Sequence, residues 1–304
     1  MTQQHMNEGL GPIDAATKTI KRLHGAFALA LLFDGESDLM IGARKGAPLA
    51  VGYGDNEMFL GSDAIALSPM TDRLTYLEEG DMAVLRRASV EIYDTHGQLA
   101  NRAIRTISLD NTRVNKDGHK HFMAKEIAEQ PSVIGAALSQ YLTADGQIVL
   151  PDPGLDFTAI DRITMVACGT AFYACLTAKY WFEQIARLPV EVDVASEFRY
   201  REPPISDRTM ALFVSQSGET ADTLAALRYC AGKADTITSV VNVTESSIAR
   251  ESNLALPIYA GVEVGVASTK AFTCQLTVLF LLVLKAAVDR GAINQEQVAD
   301  HISG

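Results

Sequence analysis

The chain is 304 residues long, and at about 100–200 residues per domain it is expected to hold two domains. Hydrophobic residues make up 48% and charged residues 21%, an ordinary globular mix that excludes intrinsic disorder. With 26 Lys and Arg against 37 Asp and Glu the formal charge is −11, which argues against nucleic acid and anionic membrane surfaces as partners; the longest basic run is Arg86-Arg87.

The first eleven residues carry neither a basic stretch nor an apolar one, unlike a secretory signal. A helix is expected over 13–22. Short apolar runs follow at 26–33, 39–43, 49–51, 58–60, 74–76, 82–85 and 90–93. They are separated by turn residues such as Asp34-Gly35 and Gly52-Tyr53-Gly54-Asp55-Asn56. Short strands at this spacing predict an antiparallel meander. One helical turn is expected at 63–67, with Ser62 as its cap. Residues 109–118 are polar and read as a linker. A helix is expected over 122–142, broken near Gln130 by Pro131. Asp152-Pro153-Gly154 reads as a turn.

From about residue 160 the pattern changes to apolar runs alternating with helical stretches. Strands are expected at 163–167, 190–194, 210–214, 236–241 and 254–257. Helices are expected at 172–185, 221–230, 246–250 and 268–289. Strand–helix alternation implies βαβ units and a parallel sheet, so this half is α/β. The apolar stretch at 276–284 is shorter than the ~20 residues a spanning helix needs, and no membrane association is expected. Cys168, Cys175, Cys230 and Cys274 form no CxxC pair and lie in apolar surroundings, as reduced thiols of a cytoplasmic protein do.

The sharpest motif is Ser215-Gln216-Ser217-Gly218-Glu219-Thr220, between a buried-type strand and a helix. In a parallel sheet that is the carboxyl edge, where ligands bind. Three hydroxyls, a glycine and a helix N-terminus describe a phosphate cradle, where a plain capped turn needs one hydroxyl. It holds no lysine and no GxxxxGK[ST], so it is not a nucleotide P-loop. Cys168-Gly169-Thr170-Ala171 is a second turn of this kind, in which Thr170 caps a helix or meets a ligand. A third is Gly265-Val266-Ala267-Ser268-Thr269-Lys270, where Ser268 and Thr269 are expected helix caps. Lys270 opposes the helix dipole there, which points to a bound anion or a nearby carboxylate. His119 and His121 lack a third metal ligand nearby in sequence, Glu78-Glu79 fits a hairpin tip, and no GxSxG, HExxH or GxGxxG occurs. No metal site is assigned.

These stretches, with Ala195-Ser196-Glu197-Phe198-Arg199-Tyr200-Arg201, closely resemble the glutamine–fructose-6-phosphate aminotransferase family, in its order and spacing. Gly61-Ser62-Asp63-Ala64, Tyr76-Leu77-Glu78-Glu79-Gly80-Asp81, His121-Phe122-Met123-Ala124-Lys125-Glu126-Ile127 and Glu129-Gln130-Pro131 extend the resemblance along nearly the whole chain. It implies a glutaminase domain of the N-terminal-nucleophile hydrolase type that releases ammonia from glutamine. It further implies two sugar isomerase (SIS) domains that aminate fructose 6-phosphate to glucosamine 6-phosphate, and a channel for the ammonia. No cofactor is implied, and SIS pairing into a homodimer is. Residues 1–108 then correspond to the C-terminal part of the glutaminase domain, 109–152 to a linker and helical lead-in, and 153–292 to the first SIS domain. Residues 293–304 begin a connection to a second SIS domain. By resemblance the phosphate loop falls on Ser215, Gln216, Ser217 and Thr220, and the sugar contacts on Thr170, Val266 and Ser268. Ala171 stands where the family often has serine.

The family's nucleophilic cysteine follows the initiator methionine, whereas here Thr2 follows Met1 and the first cysteine is Cys168. The acid/base residues and Schiff-base lysine of the second SIS domain have no counterpart here either. The chain is therefore expected to be an internal fragment, inactive alone, with no catalytic residue of its own. Its first 108 residues are expected to expose strand edges and an apolar face. The alternative is a stand-alone sugar-phosphate module or a regulator's effector domain, but no basic DNA-reading helix is present. A phosphosugar isomerase is disfavoured because no histidine lies between His121 and His301.

Overall fold

The computed structural model describes residues 1–62, 64–106, 116–151 and 155–303. It divides into two compact units, Met1–Asn115 and Lys116–Gly304. Asp63, residues 109–115 of the expected linker and the expected turn at Asp152-Pro153-Gly154 lie outside the described residues.

The first unit opens with helices α1 (Thr2–Asn7) and α2 (Pro12–Ile20). Seven strands follow: β1 (Phe27–Leu32), β2 (Met40–Lys45), β3 (Ala50–Tyr53), β4 (Met58–Gly61), β5 (Arg73–Tyr76), β6 (Met82–Leu85) and β7 (Val90–Tyr93). The short helix α3 (Ala64–Leu67) precedes β5, and a two-residue strand β8 (Arg105–Thr106) follows β7. Each pair of these strands is antiparallel, but the strands do not form one meander. They form two sheets, β1-β2-β6-β7 and β4-β3-β5-β8. Alternation within each strand explains the layering. Ile41, Ala43, Met82 and Val84 face Ala16 of α2. The opposite residues, Ala83, Leu85 and Ile92, pack on Leu49, Val51 and Leu77 of the second sheet. Ala50 and Leu74 turn to the far side, against Leu67 of α3. The order of layers is helix, sheet, sheet, helix. Gly42 lets the sheets close up, since a Cβ there would stand 2.8 Å from Leu60. Glu78 and Glu79 sit at a turn, where Glu78 pairs with Arg102 at 2.8 Å and Glu79 accepts the Gly46 amide at 3.0 Å.

The second unit begins with α4 (Phe122–Tyr141), which runs without interruption through Pro131. The break expected near Gln130 does not occur. Pro131 removes one helical hydrogen bond, about 3 kcal/mol of helix preference. Burial on its C-terminal side outweighs this: Val133, Ile134, Leu138 and Tyr141 join the main core, Ala137 is fully buried, and the Tyr141 hydroxyl donates to Pro257 O at 2.8 Å. Then come β9 (Arg162–Ala167), α5 (Gly169–Trp181), β10 (Val190–Val194), α6 (Ala195–Arg201), β11 (Thr209–Ser215) and α7 (Ala221–Cys230). The chain closes with β12 (Thr236–Val241), α8 (Ser247–Glu251), β13 (Leu254–Pro257), α9 (Lys270–Asp289) and α10 (Gln295–Ser303). Helix α5 runs into a π-helical turn at Phe182–Ala186, closed by Arg187 in the left-handed region.

The five strands are parallel, in the order β10-β9-β11-β12-β13. All seven residues of β11 are buried, as expected of a strand covered on both faces. Met210, Leu212 and Val214 face the core shared with α4, α5 and α9, and Ala211 and Phe213 face that of α6, α7 and α8. Helix α9 is long and apolar enough to cross a membrane, beyond the shorter stretch read from the sequence, but most of it is buried in this core.

Candidate functional site

Strand order places the topological switch between β9 and β11, because β10 lies on one side of β9 and β11 on the other. Ligands of open parallel sheets bind outside the carboxyl ends at such a point. Cys168-Gly169-Thr170 and Ser215–Thr220 leave the sheet there.

The loop after β11 is braced so that its hydroxyls stay available. Gly218 has φ +65°, and a Cβ on it would lie 1.9 Å from Ser246 Oγ, so only glycine fits. Its carbonyl accepts the Ile248 amide at 3.0 Å, and Glu219 Oε1 accepts the Ser247 amide at 2.7 Å. With Ser246 accepting from Ala249, these groups satisfy the N-terminus of α8. Gln216 O accepts the Asn242 amide at 3.1 Å. Asn242 also binds the loop before α9, donating to Gly261 O at 2.7 Å and accepting from the Ala260 amide at 3.1 Å.

Ser215 is buried, and its Oγ accepts the Gly218 amide at 3.0 Å while lying 3.0 Å from Thr220 Oγ1. If Ser215 donates to Thr220, the Thr220 proton points elsewhere. Ser217 is exposed and accepts the Glu219 amide at 3.2 Å, which leaves its own proton free to donate. Thr220 is the N-cap residue of α7 but makes no side-chain cap bond, so the first-turn amides of α7 are uncovered by it. Together these supply hydroxyl and amide donors at a positive helix end, the chemistry of an oxyanion site without a local cation.

Helix α5 starts at Gly169, three residues earlier than expected, with Cys168 as N-cap and no side-chain cap bond. Thr170 therefore does not cap it. It is exposed in the first turn, at the end of the strand next to β11. Neither Ser268 nor Thr269 caps α9 through its side chain. Glu263 does so instead, accepting the Thr269 and Ala271 amides at 2.9 and 3.1 Å and the Ser268 hydroxyl at 3.1 Å. Lys270 meets the carboxylate its position foretold: Glu129 Oε2 lies 2.7 Å away. Val266 is fully exposed on the same loop. Ser215, Gln216, Ser217 and Thr220 thus share one loop, with Thr170 at the neighbouring strand end. Val266 and Ser268 stand on a loop at the same edge, joined to it through Asn242.

Glu126, Glu129, Asn242 and Glu263 were missed in the sequence; only Lys270 in a helical first turn signalled such partners. Burial pushes the thiols of Cys230 and Cys274 up to about 11, and that of Cys175 higher still, which removes them from nucleophilic chemistry. Among the described residues no three His, Cys, Asp or Glu side chains cluster to hold a metal. Cavities of about 470 and 170 Å³ open at the opposite edge of the sheet, beside Arg290 and Thr236, away from these loops.

Residues 156–285 match the SIS domain family. The chain is 55% identical over 296 residues to the glutamine–fructose-6-phosphate aminotransferase [isomerizing] of Brucella abortus biovar 1 (strain 9-941), covering 97% of this chain and 49% of that one. It is 55% identical over 298 residues to the protein of that name from Mesorhizobium japonicum, covering 98% and 49%. The chain thus spans about half the length of the curated relatives it matches. Among solved structures, the C-terminal domain of glucosamine-fructose-6-phosphate aminotransferase from Francisella tularensis superposes with a TM-score of 0.60 at 41% identity. That match covers 62% of this chain and 54% of the solved one.

Proposed function

This chain is a homologue of the glutamine–fructose-6-phosphate aminotransferases along nearly its whole length, with a SIS domain in its second unit, and from that premise we propose that this unit binds a hexose 6-phosphate. The ligand is fructose 6-phosphate or glucosamine 6-phosphate. Ser215, Gln216, Ser217 and Thr220 hold the phosphate, and Thr170, Val266 and Ser268 contact the sugar. The observation that carries this reading is the braced loop after β11, whose outward hydroxyls and bare helix amides face the switch point. An anion is favoured there by local donors, against the overall charge of −11.

Within the whole protein the reaction is transfer of the glutamine amide nitrogen to fructose 6-phosphate, giving glucosamine 6-phosphate and glutamate. The first unit serves as the C-terminal part of the glutaminase domain; its helix–sheet–sheet–helix layering supports that assignment. The protein works in the cytoplasm as a homodimer through its SIS domains. Glutamine hydrolysis needs an activated thiolate, and residues 1–115 contain no cysteine. Isomerisation needs a base to move a proton between C1 and C2, and no histidine lies between His121 and His301. The 304-residue chain by itself is therefore expected to form no glucosamine 6-phosphate from glutamine and fructose 6-phosphate. Product detected by chromatography would overturn this.

The binding reading is tested by calorimetry with the double variant Ser217→Ala, Thr220→Ala. Charge-assisted hydrogen bonds are worth about 1.5–3 kcal/mol each, so fructose 6-phosphate affinity is expected to fall at least about tenfold. An unchanged affinity refutes the assigned loop.

A further inference from the structure

Helix α4 precedes the matched SIS segment, yet its charged face reaches the loop between β13 and α9. Glu126 is only 2% exposed. Its Oε1 accepts the Val264 amide at 2.6 Å and the Gly265 amide at 3.0 Å, and Oε2 lies 3.2 Å from the Gly265 amide. A Cβ at Gly265 would stand 2.4 Å from Oε2, so glycine admits the carboxylate to the backbone. Close by on the same helix, Glu129 binds Lys270 at 2.7 Å and Lys125 at 3.5 Å, and Lys125 also pairs with Asp117 at 3.0 Å. Burial works against the Lys125 charge, but its carboxylate partners outweigh that and hold its pKa above the usual value.

Buried charges are weak sources of stability, because desolvation offsets most of their attraction. What this network does is fix a backbone. Glu126 pins the loop at 264–265, and Glu263 pins it at 269–271. Between the pins, the amides of Val266 and Ala267 have no partner among the described residues, and the Val266 side chain is fully exposed. We infer that Glu126 is a positioning residue for the sugar: it holds residues 266–268 as a rigid strip against which the ring docks, while the phosphate is held independently by the loop after β11. This rests on the hexose-phosphate reading above.

The test titrates the full chain, E126A, E126Q and G265A calorimetrically with fructose 6-phosphate and with inorganic phosphate. E126A is expected to weaken fructose 6-phosphate at least about tenfold and to leave inorganic phosphate within about twofold. E126Q, whose amide oxygen still accepts from both backbone amides, is expected to stay near the unsubstituted chain. G265A pushes the carboxylate away while keeping it, and is expected to reproduce E126A, which covers the case in which E126A does not fold. Hydrogen exchange at 264 and 265 should rise in E126A and G265A only. Equal losses of both ligands, or no loss of fructose 6-phosphate, overturn the positioning role. If the unsubstituted chain binds inorganic phosphate but gains nothing from the sugar, the hexose reading itself fails, and the positioning role falls with it.

Discussion

Gly218 is the residue on which the loop geometry turns. An alanine there meets both a left-handed backbone and the Ser246 hydroxyl 1.9 Å away. Gly218→Ala is expected to destabilise the second unit by at least about 2 kcal/mol, read from the urea midpoint, because the strain adds to a displaced α8 cap. A midpoint within error of the unsubstituted chain would contradict the brace. The cysteines give a second check at this scale. Cys175, Cys230 and Cys274 are buried, while Cys168 is partly exposed at the α5 N-cap. A colorimetric thiol reagent at pH 8 is expected to titrate one thiol in the native chain and four in denaturant. More than one fast native thiol would mean the core is open. The hydroxyls of the Ser215–Thr220 loop were legible in the sequence because they are consecutive and follow an apolar run. Glu126 was not, because its partner amides lie at 264 and 265, and no local pattern links a carboxylate to backbone so far along the chain.

Elements were read better than their partners. Periodicity identifies a strand but is silent on what it pairs with, so the seven short runs became strands while their split into two sheets went unseen. The chain leaves β2 through Gly46, at φ +65°, and β3 enters the second sheet, so β2 takes β6 as neighbour. Boundaries failed where a cap was expected to mark them: α5 begins at Gly169 with no side-chain cap, and helices α1, α6 and α10 were not read from the sequence. Pro131 is the sharpest conflict between local preference and packing. Pro131→Ala restores a donor to the Ile127 carbonyl in a helix that is already continuous through the site of substitution. It is expected to raise the stability of the second unit by about 1–2 kcal/mol, less than the full helix-propensity difference because proline also restricts the unfolded chain. A lower urea midpoint would show that α4 relies on the proline ring for packing.

At the scale of the molecule, each unit has its own core, so two unfolding transitions are expected. In the first unit the apolar burden falls on one edge. Strand β1 alternates half-buried and exposed residues, with Leu32 at 77% exposure and Ala28 and Ala30 also facing out. Its neighbour β2 is buried through Ile41, Gly42 and Ala43. Hydrogen exchange is expected to be fast along β1 and slow along β2, β6 and the parallel sheet of the second unit, by orders of magnitude. Uniform strong protection across 27–93 would show that something covers that edge. The acidic net charge, which in the sequence served only to exclude partners, also fits an arrangement in which donors are local and short-ranged.

Asn242 ends β12 with three hydrogen bonds that reach both ways along the sheet edge: to Gln216 on one side and to Ala260 and Gly261 on the other. Its backbone amide holds the loop proposed to grip phosphate, and its side chain holds the loop proposed to meet the ring. The receptors for the two halves of a hexose phosphate are thereby set at a spacing fixed by the sheet edge. A ligand whose phosphate and ring match that spacing binds without reshaping either loop, which keeps the ordering cost of binding small.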